Sequence, residues 1–142
     1  MQAVMRLVSI GLFALLSLFL IVFGVFYATV DSMLFFHAAA VPQEMRAGVA
    51  PLYFALMKLI GGAAAALGAL CLFVTFGPVR NRAPFSATAL ALAIAAPVIV
   101  AAYVAESLAT QAGAPTSWHL MGVIIAIDCL AYLAHLLGAR RS

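Results

Sequence analysis

The sequence predicts an all-α fold, a four-transmembrane-helix bundle with short loops. Three observations predict it. Four apolar stretches are each long enough to cross a bilayer, which needs roughly 20 residues at about 1.5 Å of rise per residue. Only 8% of the 142 residues are charged, 68% are apolar, and the mean hydropathy is +1.22. A soluble domain carries about 25% charged residues, so these charges are too few to cover a water-soluble core. Finally, the arginines fall at the ends of the apolar stretches. This balance excludes a soluble enzyme, a disordered chain and a nucleic-acid-binding module. The net charge of +3 is spread over segment ends, and no nucleic-acid partner is expected. The spans must be helical, because an open sheet edge fails in lipid and a barrel needs at least about eight strands.

The first span, about 7–30, is rich in Leu, Phe and Val and has no charge. Arg6 before it and Ala38-Ala39-Ala40 after it resemble signal-peptide features. A signal core is only about 7–15 residues long, so a retained helix is expected, facing lipid or a partner subunit. The first loop is the longest. Asp31 and Ser32 can cap a short helical piece over 33–40, which Pro42 interrupts. Its aromatics suit either the membrane interface or a cap folded over the mouth of the bundle.

The second span, about 51–76, carries one charge, Lys58, and the small-residue run Gly61-Gly62-Ala63-Ala64-Ala65-Ala66-Leu67-Gly68-Ala69. A short turn follows, containing Arg80 and Arg82. The third span, about 84–110, is alanine-rich, with Glu106 near its end and Pro97 expected to bend it. The fourth, about 117–137, has Asp128 near its middle, with Thr116 or Ser117 as its N-cap. Small residues let helices approach closely in lipid, so the second and third spans are expected to form the tightly packed centre. No linker divides the chain, and residues 1–142 read as a single membrane domain.

Arg6, the Arg80/Arg82 pair and the Arg140/Arg141 pair all fall on one side of a four-span chain. The positive-inside rule makes that side the cytoplasm, with both termini inside. All four acidic residues, Asp31, Glu44, Glu106 and Asp128, then fall in the outer half or near the midplane.

An ionisable group within a span costs several kcal/mol and normally faces the bundle interior with a partner. Counted from the outer ends of their spans, Lys58 lies about 10 Å deep, Asp128 about 16 Å and Glu106 about 6 Å. Lys58 paired with Glu106, Asp128 or both is therefore the expected polar contact, serving either assembly or a ligand and proton role. Tyr103 shares the face of Glu106. With His119 and Trp118 at the start of the fourth span and His37 in the first loop, these residues suggest an outward-facing polar pocket. Lys58, Glu106, Asp128, Tyr103, His119 and His37 are its candidate residues. No metal site is expected, because no two histidines or acids have helical ligand spacing. No cofactor is implied either. Cys71 and Cys129 differ in depth by about 12 Å, which disfavours a disulfide and suggests two small buried hydrophobes.

Four short-looped helices, the run Leu59-Ile60-Gly61-Gly62-Ala63-Ala64-Ala65-Ala66-Leu67-Gly68 and Pro42 after the first loop's aromatic stretch resemble the small DoxX-like bacterial membrane proteins. That resemblance implies a bacterial inner-membrane protein, and in a few members company with quinone-feeding oxidoreductases. The functional expectation is a non-enzymatic accessory subunit or small-molecule binding protein in the lipid bilayer, as a homo-oligomer or within a larger membrane complex. The alternatives are a proton-coupled transporter or channel component acting as an oligomer, and a membrane subunit of a quinone-linked oxidoreductase.

Overall fold

The computed structural model describes residues 1–139. Arg140 and Arg141, part of the topology argument, lie outside them. The described chain is all-helical: α1 (Gln2–Thr29), α2 (Phe35–Ala38), α3 (Arg46–Val74), α4 (Ser86–Ala112) and α5 (His119–Ala139). All but α2 are long and apolar enough to cross a membrane, so the chain is a multi-pass membrane protein.

The long helices stand in the spatial order α3, α1, α5, α4. α1 is central, buried at Ser9, Phe13, Leu16, Ser17, Leu20 and Gly24, a stripe of three- and four-residue spacings that meets α3 and α5. This corrects the expectation that the second and third spans form the centre; the first span, expected to face lipid or a partner subunit, takes that place and keeps its other side exposed. Backbone approach explains the difference. A Cβ built on Gly68 of α3 would stand 2.7 Å from the Ser17 carbonyl oxygen, so α1 and α3 touch main chain to main chain. α4, by contrast, buries Leu90, Ile94 and Val98 against α5 and leaves Ala89 and Ala96 exposed. Its alanines fall on both sides of the helix, Ala87 and Ala105 buried and the rest half-buried or exposed.

The glycines also fix the register. Gly61 packs against Ala28, and Gly138 packs against the Gln2–Arg6 turn. Hence α1 begins, α3 and α4 are joined, and α5 finishes at one end of the bundle, the arginine end. The first loop and the α4–α5 connection form the opposite, loop end.

Element ends follow local chemistry. α3 passes into a π-helical turn at Thr75–Val79, where Arg80 N–H donates to the Thr75 carbonyl at 3.1 Å. Pro78, without an N–H, sits in this turn. Arg82 and Phe85 then take positive φ angles of 58° and 60° to reverse the chain. α4 runs unbroken through Pro97 and ends at Gly113, φ 62°, with Ala114 N–H closing onto the Leu108 carbonyl at 3.2 Å. The Ser117 hydroxyl accepts the His119 N–H at 3.2 Å, in keeping with its expected capping role, whereas Thr116 donates to the Ala105 carbonyl at 2.7 Å and ties the connection to α4. Asp31 and Ser32 do not cap α2, which starts after Leu34 without a side-chain cap.

Candidate functional site

Asp128 is the one sequence-predicted residue that the fold buries in a span, at 3% exposure. It lies ten residues, about 15 Å, from Gly138 along α5. Because Gly138 packs on the first turns of α1, that distance brings Asp128 level with the Phe13–Ser17 turn. Cys71 reaches the same level from α3, three residues past Gly68, and lies within electrostatic range of the Asp128 carboxyl. Phe13 and Ser17 of α1 are fully buried between them.

The buried hydroxyls around this level are turned inward on their own helices. Ser17 donates to the Phe13 carbonyl and Thr75 to the Cys71 carbonyl, each at 2.7 Å. Neither is left to donate to the acid, and Oδ1 of Asp128 has no hydrogen-bond partner, nor does the buried hydroxyl of Ser9. An ionised carboxylate so placed would cost several kcal/mol. The arrangement is a buried acid whose Oδ1 has no partner, and among the described residues no ion pair reaches it. It can hold and release a proton.

The structure does not bring Lys58 to either acid. Lys58 is exposed on α3, and α1 stands between α3 and α5. The expected depth of Lys58 also changes. Gly61 touches Ala28, and Lys58 lies about 4.5 Å further toward the loop end. That is level with or past Thr29, where α1 finishes. Hydropathy starts the span at Pro51, but the helix begins at Arg46 and its first turns project beyond α1. Glu106 and Tyr103 are exposed on α4, Tyr103 at 75%. His119 is exposed at the start of α5, where its Nδ1 bonds the Ser117 hydroxyl and its ring stacks on Trp118 with centroids 4.5 Å apart. Lys58, the Tyr103–Glu106 pair and His119 stand on three different helices, and neither pocket described for the chain is lined by any of them.

His37 belongs to a different cluster. Tyr53, on the part of α3 that projects past α1, accepts the Leu34 N–H at 3.2 Å, and its hydroxyl lies 2.9 Å from Nδ1 of His37. The His37 ring meets Tyr27, Phe36 and Tyr53 edge-on, with centroids 6.3, 4.4 and 5.5 Å away. Burial pushes the His37 imidazole below its ordinary value of 6.5, which suits an unprotonated Nδ1 accepting the tyrosine proton. Arg46 closes the loop from the other side, donating to the Ala38 carbonyl at 2.7 Å and the Val41 carbonyl at 3.0 Å. The first loop is thus pinned onto the end of α3.

Sequence reasoning missed the roles of Tyr53 and Arg46. The signal for Arg46 was its place as the one strong base between the first two spans. Cys71 is buried as expected, whereas Cys129 is exposed, and both are free thiols. Among the described residues no three His, Cys, Asp or Glu side chains gather as a metal site. An open, apolar groove of about 530 Å³ lies on the α1–α3 surface, lined by Ile21, Ala69, Leu72, Phe73, Phe76 and Gly77. Compared with family models, with curated proteins and with solved structures, the chain matches none of them.

Proposed function

We propose that the chain is a non-enzymatic accessory subunit of a bacterial inner-membrane assembly, with both termini in the cytoplasm. One observation carries this reading. α4 packs mainly along α5 and touches α3 and the π-helical turn far less, so a long apolar helix is covered mostly from one side among the described residues. Its other side presents Leu92, Ile99, Val100 and Tyr103. In lipid, helices associate through close packing and polar contacts rather than through the hydrophobic effect. A helix covered mainly from one side offers such a surface to another helix, from a second copy or a larger complex. The resemblance to small DoxX-like proteins supports the same reading and adds a quinone-linked oxidoreductase as one type of assembly.

Photo-crosslinking residues placed at Leu92 and Ile99 in native membranes test it. The expected result is a discrete adduct of higher mass, containing a second copy or another membrane protein. Adducts to lipid alone would overturn the proposal.

A second reading, a proton-coupled transporter component, is favoured by the solitary Asp128 in the middle of α5. An intramembrane acid without a structural partner is a functional candidate by default. Proton uptake by vesicles carrying the protein, absent with Asp128→Asn, would favour this reading over the first.

A further inference from the structure

At the arginine end, three basic side chains from three parts of the chain converge on one crevice. Arg6 comes from the first turns of α1, Arg82 from the turn between α3 and α4, and His135 from the last turns of α5. Ile10, Val79, Gly138 and Ala139 complete the lining. His135 lies within electrostatic range of the Arg82 guanidinium.

The fold holds these groups together. Arg82 sits in the left-handed region, φ 58°, which costs a non-glycine residue free energy. Its N–H is fixed to the Val79 carbonyl at 3.1 Å. Arg6 bonds the Arg80 carbonyl, anchoring α1 to the same turn. Gly138 lets α5 approach: a Cβ there would lie 3.1 Å from the Arg6 backbone nitrogen.

No acidic side chain balances the cluster. The four in the chain are Asp31, Glu44, Glu106 and Asp128, at the loop end or in mid-span. Among the described residues, two arginines and a histidine thus gather at one end of the spans with no acidic side chain to balance them, and they offer their donors to an anion. Basic pockets between helix ends are what phospholipid headgroups occupy.

We propose that this crevice is a phosphate-binding site, formed by Arg6, Arg82 and His135. Its interior, about 10 Å³, holds one water-sized atom. One phosphate oxygen therefore enters between the three bases, and the rest of the group stays outside at the surface. The guanidinium fork of Arg82 matches phosphate geometry, and Arg6 has donors left after its bond to Arg80. A phospholipid phosphodiester and a free phosphate share this chemistry.

The test uses the full chain in detergent, with thermal stability measured against added phosphatidylglycerol, phosphatidylcholine or inorganic phosphate. Phosphatidylglycerol is expected to stabilise the wild type well below the concentration at which phosphatidylcholine does. Arg82→Gln should weaken that protection about fivefold. His135→Gln should weaken it too, and Arg82→Lys should restore part of it. Lys58→Gln, at the opposite end, should leave it unchanged. Protection by phosphatidylglycerol alone assigns a lipid, and equal protection by inorganic phosphate assigns a soluble phosphate; either supports the site. Equal effects of phosphatidylglycerol and phosphatidylcholine with no effect of phosphate would overturn it. So would a loss in Lys58→Gln as large as in Arg82→Gln. Should Arg82→Gln fail to fold, His135→Gln and Arg82→Lys carry the same comparison.

Discussion

Gly24 of α1 and Gly61 of α3 meet backbone to backbone: a Cβ on Gly61 would lie 2.5 Å from the Gly24 carbonyl oxygen, and one on Gly24 2.6 Å from that of Gly61. No side chain fits between them. Gly62, one residue on, has nothing within 4 Å of its would-be Cβ. The two neighbours should therefore respond in opposite directions. Gly61→Ala forces α1 and α3 apart and should cost at least about 1–3 kcal/mol, as overpacking does. Gly62→Ala should be neutral or stabilise by up to about 1 kcal/mol through helix propensity. Thermal unfolding in detergent compares them, and equal destabilisation would mean that α1 is not the partner of α3.

Lys58 should be dispensable to the fold. It is exposed at the level where α1 ends. Lys58→Met should therefore change stability by no more than about 0.5 kcal/mol. Its effect should add to that of Asp128→Asn or Glu106→Gln without coupling, because contacting pairs are the ones that depart from additivity. A double-mutant cycle with coupling above about 0.5 kcal/mol would restore the ion pair expected from sequence.

The first loop should loosen in acid. Burial holds the folded His37 imidazole below its ordinary value of 6.5, so the released loop takes up a proton before the docked loop does. The docking stability is complete above about pH 6.5 and is lost as pH falls from there toward the docked value. A spin label at exposed Ala39 should become more mobile between about pH 7 and about pH 5. Tyr53→Phe, which removes the hydroxyl shared by Leu34 and His37, should give the mobile spectrum at both values. An unchanged wild-type spectrum across that range would show that His37 does not govern docking.

The number and order of the spans were legible because hydropathy integrates over twenty residues and tolerates local error. Which helix lies in the centre was not. Small-residue content marks both α3 and α4, and only spacing on a common face with a partner glycine, as at Gly24 and Gly61, separates a contact from a filler. The polar pocket failed for a related reason. Depth was counted from Pro51, where hydropathy begins, but α3 starts at Arg46. The first turns of α3 project past α1, so Lys58 stands level with the end of α1 and away from Asp128. The crevice at the other end was visible only as topology, because Arg6, Arg82 and His135 are far apart in sequence and only the closeness of Gly138 to α1 brings them together.

Asp128 distinguishes a structural acid from a retained functional one by the sign of a single substitution. Were it half of a buried ion pair, its removal would strand the partner charge and cost about 3–5 kcal/mol. Oδ1 instead has no partner, and the hydroxyls of Ser17 and Thr75 donate to carbonyls of their own helices. Asp128→Leu then exchanges an unsatisfied polar group for an apolar one, and it strands nothing. Relieving that desolvation penalty should stabilise the protein by about 1–3 kcal/mol, less whatever strain the larger side chain introduces. Asp128→Ala, which adds no volume, separates the two contributions. A rise in the thermal midpoint for either variant, with loss of crosslinking at Leu92 or of proton uptake, would mark Asp128 as an acid kept for function at the expense of stability. A fall of several kcal/mol in both would show that the carboxyl is a structural element of the core.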